Sequence, residues 1–117
     1  FDLNMAGNAD KLEIKLDAPG STVTQTGIIR GGLGDDDLKI DTAAFRTSTG
    51  LEMTGAGGND KLEQVIQGGF QASQTLQTRM LGGDGSDILI LTTSSGIFGT
   101  GLPGDLFPVI NCGLGTD

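Results

Sequence analysis

The sequence predicts an all-β fold: a parallel β-helix or β-roll solenoid with coils of about 25 residues and glycine turns stacked on one side. Three observations predict it. Asp10, Asp36, Asp60, Asp87 and Asp117 recur at spacings of 26, 24, 27 and 30 residues. Apolar residues fall two and four positions after most of them, the period of a strand with one buried face. Glycine supplies 21 of the 117 residues and gathers just before these aspartates, where a tight turn favours residues without a β-carbon.

The elements follow in order along each period. Seven positions before each reference aspartate stands an apolar residue, Leu3, Ile29, Met53, Met80 or Ile110, which ends one strand. Four before stands a small residue: Ala6, Gly32, Ala56, Gly83 or Gly113. Two before stands a residue that tolerates a left-handed backbone: Asn8, Gly34, Gly58, Gly85 or Gly115. These positions make the turn. The next strand carries Leu12, Leu38, Leu62 and Leu89 at offset two, and Ile14, Ile40, Gln64 and Leu91 at offset four. Met53 and Met80 fall in an apolar column and are predicted to be core.

Arcs of unequal length, 17–28, 43–52, 67–79 and 94–109, join one period to the next and hold all three prolines and Phe45, Phe70, Phe98 and Phe107. A stack tolerates variable arcs because insertions bulge outward. An antiparallel sandwich would instead leave turn signals roughly every 8–12 residues. Residues 1–117 therefore read as a single solenoid segment, about four coils plus the start of a fifth, and as a piece of a longer repeat protein.

Composition narrows the function. The net charge is -8, which argues against nucleic-acid binding. Twelve of the 15 acidic residues are aspartate, a turn residue rather than a helix-surface one. With no histidine, the usual general base and zinc ligand are missing. Asp35-Asp36-Asp37 has no base or nucleophile beside it in sequence, so the chain is not expected to be an enzyme. Cys112, the single cysteine, cannot form an intrachain disulfide and is expected to be a small inward-facing residue. No apolar run approaches the ~20 residues of a membrane span. A sugar-binding role for Phe45, Phe70 and Phe98 would need these rings exposed in a row.

The turns read GGLGDDDLK (31–39), GAGGNDKLE (55–63) and GGDGSDILI (82–90), with MAGNADKLE (5–13) and CGLGTD (112–117) at either end. They resemble the repeat-in-toxin nonapeptide GGxGxDxUx, with U a large apolar residue, which is a calcium-binding β-helix repeat. The resemblance implies Ca2+ between the turns of successive coils. It makes Asp36, Asp60, Asp87 and Asp117 carboxylate ligands, with Asp10 in the weakest copy. Further ligands would come from the turn positions Gly31, Gly34, Gly55, Gly58, Gly82, Asp84, Gly85, Gly113 and Gly115, and from the peptide carbonyls of Asp35, Asn59, Ser86 and Thr116. Calcium accepts six to eight hard oxygens in flexible geometry, which suits such turns. Each motif is followed by 15 or more non-matching residues, so calcium is expected along one side only.

The resemblance also implies a bacterial secreted or cell-surface protein that folds and rigidifies on meeting extracellular calcium. The expected role is structural or adhesive, in a fibre, sheath, surface layer or adhesin. Its partners would be neighbouring repeats of the same chain, with self-assembly a further outcome. The alternative is a calcium-dependent folding or secretion module attached to a secreted enzyme or toxin.

Overall fold

The computed structural model describes residues 1–16, 25–42, 49–67, 75–93 and 105–115. These residues form nine strands and no helix: β1 (Asp2–Asn4), β2 (Lys11–Leu16), β3 (Gln25–Leu33), β4 (Asp37–Thr42), β5 (Thr49–Gly57), β6 (Lys61–Ile66), β7 (Thr75–Asp84), β8 (Ile88–Thr93) and β9 (Asp105–Asn111). Successive strands alternate between two sheets. The odd strands form one, in the order β1-β3-β5-β7-β9, and the even strands form the other, β2-β4-β6-β8. Every pairing is parallel.

The register is the one the aspartate spacing predicts. Leu3 pairs with Ile29 and Leu12 with Leu38, both 26 residues on. Ile29 pairs with Met53 and Leu38 with Leu62, both 24 on. Met53 pairs with Met80 and Leu62 with Leu89, both 27 on, and Met80 pairs with Ile110, 30 on. Both sheets thus count the same periods, and each period contributes one level to each sheet.

Alternation along the strands decides which side is buried. In β4, Leu38, Ile40 and Thr42 are buried while Asp37, Lys39 and Asp41 are half-buried; β6 repeats this with Leu62, Gln64 and Ile66. The odd strands contribute Ile29, Leu51, Met53 and Met80 to the same core, with Leu12, Ile14, Leu16, Leu89 and Leu91 packed at its ends. Met53 and Met80 are core, as expected. Gln64 breaks its apolar column but is fully buried; its Oε1 accepts a hydrogen bond from the Thr78 hydroxyl across the core, and its Nε2 has no partner.

The sequence reading made the arcs too long. β3, β5, β7 and β9 begin at residues 25, 49, 75 and 105, inside segments read as arcs. In β5 the alternation does extend into the arc, with Leu51 two before Met53, but its partners Gly27 and Thr78 are not apolar and leave no column to read. Phe107 and Pro108 consequently lie in β9, an edge strand, where a proline without an N–H is tolerated. Pro19, Pro103, Phe45, Phe70 and Phe98 lie outside the described residues.

Candidate functional site

Between an odd strand and the following even strand the chain makes the glycine turn. At the third level, Gly55 is buried, Ala56 and Gly58 take positive φ of 91° and 137°, Asn59 is exposed, and Asp60 returns to the interior. The positive φ recurs at both turn columns, with two differences. Ala6 and Ala56 adopt it without being glycine, and Asn8, which could tolerate it, does not adopt it. The Asn8 N–H nevertheless donates to the Leu33 carbonyl, at 2.7 Å, as the N–H groups of Gly34, Gly58 and Gly85 donate to the carbonyls of Gly57, Asp84 and Leu114. A β-carbon on Gly58 would run into the Gly34 carbonyl of the level before, and one on Gly85 into that of Gly58. The turns therefore stack backbone on backbone.

Asp36, Asp60 and Asp87 are only 2%, 2% and 3% exposed. A carboxylate this deep is costly unless its oxygens are matched. One oxygen is. The Asp10 N–H donates to Asp36 Oδ1 at 2.8 Å, the Asp36 N–H to Asp60 Oδ1 at 2.9 Å, and the Asp60 N–H to Asp87 Oδ1 at 2.9 Å. The side chain of each level caps the backbone of the level before.

The second oxygen is different. Oδ2 of Asp10, Asp36 and Asp60 is buried with no hydrogen-bond partner. For Asp36 and Asp60 it sits in a cradle that a β-carbon would fill. A Cβ on Gly31 would collide with Asp36 Oδ2 and stand 3.0 Å from the Gly55 carbonyl oxygen; a Cβ on Gly55 would collide with Asp60 Oδ2 and stand 2.6 Å from that of Gly82. Strand pairing is interrupted at this column: Arg30 pairs with Thr54 and Gly32 with Ala56, while Gly31 and Gly55 do not pair. The same gap separates Gly55 from Gly82. At these two levels, then, an unpartnered carboxylate oxygen and a carbonyl of the next level crowd one point.

Burial pushes the Asp60 carboxyl above its ordinary value, opposed by the Asp36 N–H and reinforced by the charges of Asp36, Asp87 and Asp35.

The remaining predicted site residues divide. Asp35, Asn59 and Asp84 are exposed. Asp35 and Asn59 form a second ladder outside the turn, where Asp35 Oδ1 accepts from the Asn59 N–H (2.8 Å) and Asn59 Oδ1 from the Ser86 N–H (2.9 Å). The Asp84 carbonyl accepts from the Gly58 N–H at 2.9 Å. The backbone of Gly113 and Gly115 stacks on Gly83 and Gly85, continuing the turn column to a fifth level. Asp117 lies outside the described residues. Met5 and the half-buried Cys112 occupy, at the two end levels, the column that holds Gly31, Gly55 and Gly82.

The sequence reading named these three glycines as parts of a motif, but not the inward cradle that requires them. Their identity five places before each aspartate was the available signal. Among the described residues no three acidic, cysteine or histidine side chains converge on one point. A groove of about 560 Å³ on the odd-stranded sheet has Glu52 and Arg79 as its ionisable lining residues. Compared with known proteins, the chain matches no family model, no curated protein and no solved structure, so the reading of the site rests on the aspartate ladder itself.

Proposed function

We propose that this chain is a calcium-binding structural or adhesive segment of a bacterial secreted or cell-surface protein, built as a parallel β-solenoid whose glycine turns stack along one side. One observation carries the calcium reading: the buried, unpartnered Oδ2 atoms of Asp36 and Asp60, each at a glycine cradle that a carbonyl oxygen of the next level also approaches. The donor set is all oxygen, two carboxylates and peptide carbonyls, which fits a hard cation and not a thiophilic one. Asp36 and Asp60, with the Gly55 and Gly82 carbonyls, would hold the ion, and Asp10 and Asp87 extend the column to neighbouring levels.

The charge balance favours the same reading. Carboxylates one strand spacing apart, about 4.8 Å, repel by roughly 3 kcal/mol at an effective dielectric constant of about 20. A divalent cation removes that repulsion and converts binding free energy into folding free energy. Calcium is abundant outside cells, so folding would follow export, and a rigid stack of repeats suits a surface fibre or adhesin.

The competing reading is a metal-free stack in which the aspartates only cap backbone N–H groups. Calcium titration followed by circular dichroism and calorimetry, with EDTA as control, separates the two. The calcium reading expects a gain of β structure with heat of binding. Unchanged β structure in EDTA and no heat would leave the metal-free stack.

A further inference from the structure

The outer face of the even-stranded sheet carries an order that the interior lacks. Along β2 the outward residues are Lys11, Glu13 and Lys15; along β4 they are Asp37, Lys39 and Asp41; along β6 they are Lys61, Glu63 and Val65. Signs alternate along each strand. They also alternate across the stack, because Lys11 lies over Asp37 and Asp37 over Lys61, while Glu13 lies over Lys39 and Lys39 over Glu63. Lys15 lies over Asp41. The Lys11 Nζ to Asp37 Oδ2 distance is 3.5 Å. The checkerboard ends at β8, whose outward residues are Ile88, Ile90 and Thr92.

We infer that this checkerboard is the surface that selects which strand lies on which, and in what register. A one-residue slip is rejected by the core, because it turns every apolar side chain outward. A two-residue slip keeps the faces, and the apolar columns accept it, with Leu12 on Ile40 and Leu38 on Gln64, so inside only the aspartate bonds and the stacked turns oppose it. The outer face does not accept it. Lys11 would lie on Lys39, Glu13 on Asp41 and Asp37 on Glu63, all like charges. Skipping a level fails in the same way, since Lys61 would lie on Lys11 and Glu63 on Glu13, while Leu62 on Leu12 is harmless inside. The five native cross-strand pairs of opposite charge become repulsive or empty in each wrong arrangement. The partner that fits any row is therefore a strand whose outward charges run in the opposite order.

The deciding experiment keeps the attraction and erases the order. In E13K/K39E/E63K the rows become uniformly basic, acidic and basic, so neighbouring strands still attract in the native register and equally after a two-residue slip. Cross-strand backbone NOEs between β2 and β4 are read with calcium present. In the native chain Ile14 faces Ile40; in the variant a second set, with Leu12 or Leu16 facing Ile40, is expected as the slipped population rises by about tenfold or more. E13Q/K39Q/E63Q, the second variant, removes the repulsion but keeps the Lys11–Asp37, Asp37–Lys61 and Lys15–Asp41 pairs, and is expected to give a weaker second set. A single native set in folded E13K/K39E/E63K or, where that variant does not fold, a slipped set in E13Q/K39Q/E63Q no larger than in the native chain overturns the inference and assigns the register to the aspartate ladder alone.

Discussion

The Asp36 N–H donates to Asp60 Oδ1 at 2.9 Å across 24 residues of chain, so a buried carboxylate of one level holds the backbone of another. That bond uses one oxygen and leaves the other, and the two oxygens can be separated by mutation.

Asp60→Asn keeps the Oδ1 acceptor and replaces Oδ2 by an amide that can donate to the Gly82 carbonyl. In EDTA it is expected to raise stability by about 1–2 kcal/mol, since a buried orphan acceptor and a buried charge both disappear. With calcium present the same variant is expected to bind fewer ions, measured by calorimetry. Asp60→Ala loses the bond to Asp36 as well and is expected to destabilise the chain with or without calcium.

Without calcium, acid is expected to stabilise the fold. The folded Asp60 carboxyl titrates above its unfolded value, mainly because it is buried. The folded state therefore holds the proton more tightly. The penalty of the buried charge is fully present above the raised folded value and is relieved as pH falls through it towards the ordinary carboxylate range. Urea midpoints in EDTA, measured downward from pH 7, check this, and Asp60→Asn is expected to flatten the response.

Gly55→Ala and Gly50→Ala form a matched pair. A Cβ at Gly55 collides with Asp60 Oδ2, whereas one at Gly50 meets only the Thr26 methyl at 3.9 Å. The first is expected to cost about 3 kcal/mol and the second to be neutral or slightly stabilising. Ala56, held at a φ of 91°, is the converse case. Ala56→Gly is expected to gain about 0.5–1 kcal/mol in thermal or urea unfolding.

Gln64 Nε2 is buried without a partner, and Gln64 Oε1 is tied to Thr78. Replacing both polar groups in Gln64→Leu with Thr78→Val is expected to stabilise the chain by about 1–2 kcal/mol. Gln64→Leu alone is expected to gain less, because the Thr78 hydroxyl is then stranded. Urea midpoints of the single and double variants measure the difference.

Much of the architecture was legible because one residue type marks every level. Aligning on aspartate puts Leu12 over Leu38 and Met53 over Met80, and the strands pair in that register because inward residues must meet inward residues. The even offsets were read for this reason. The odd offsets, Lys11, Asp37 and Lys61 in one column and Glu13, Lys39 and Glu63 in the next, were equally available and look like ordinary solvated charge until the stacking order is imposed. The cradle at Gly31 and Gly55 was less accessible. A glycine-rich motif says that side chains are excluded, but only packing says by what, and here the excluding atom is a carboxylate oxygen from five residues later.

The inner and outer ladders run in opposite senses. Inside the turn the earlier level donates and the later accepts, as from Asp36 to Asp60; outside, the later level donates and the earlier accepts, as from Asn59 to Asp35. From the second to the fourth level the stack thus has a head and a tail that differ at both columns. The outer ladder stops at Ala9, which has no side-chain acceptor, whereas the inner one could run on through a head-to-tail junction; a head-to-head junction would set carboxylate against carboxylate inside. A stack of such turns is polar, and any lattice built from it end to end inherits a single direction.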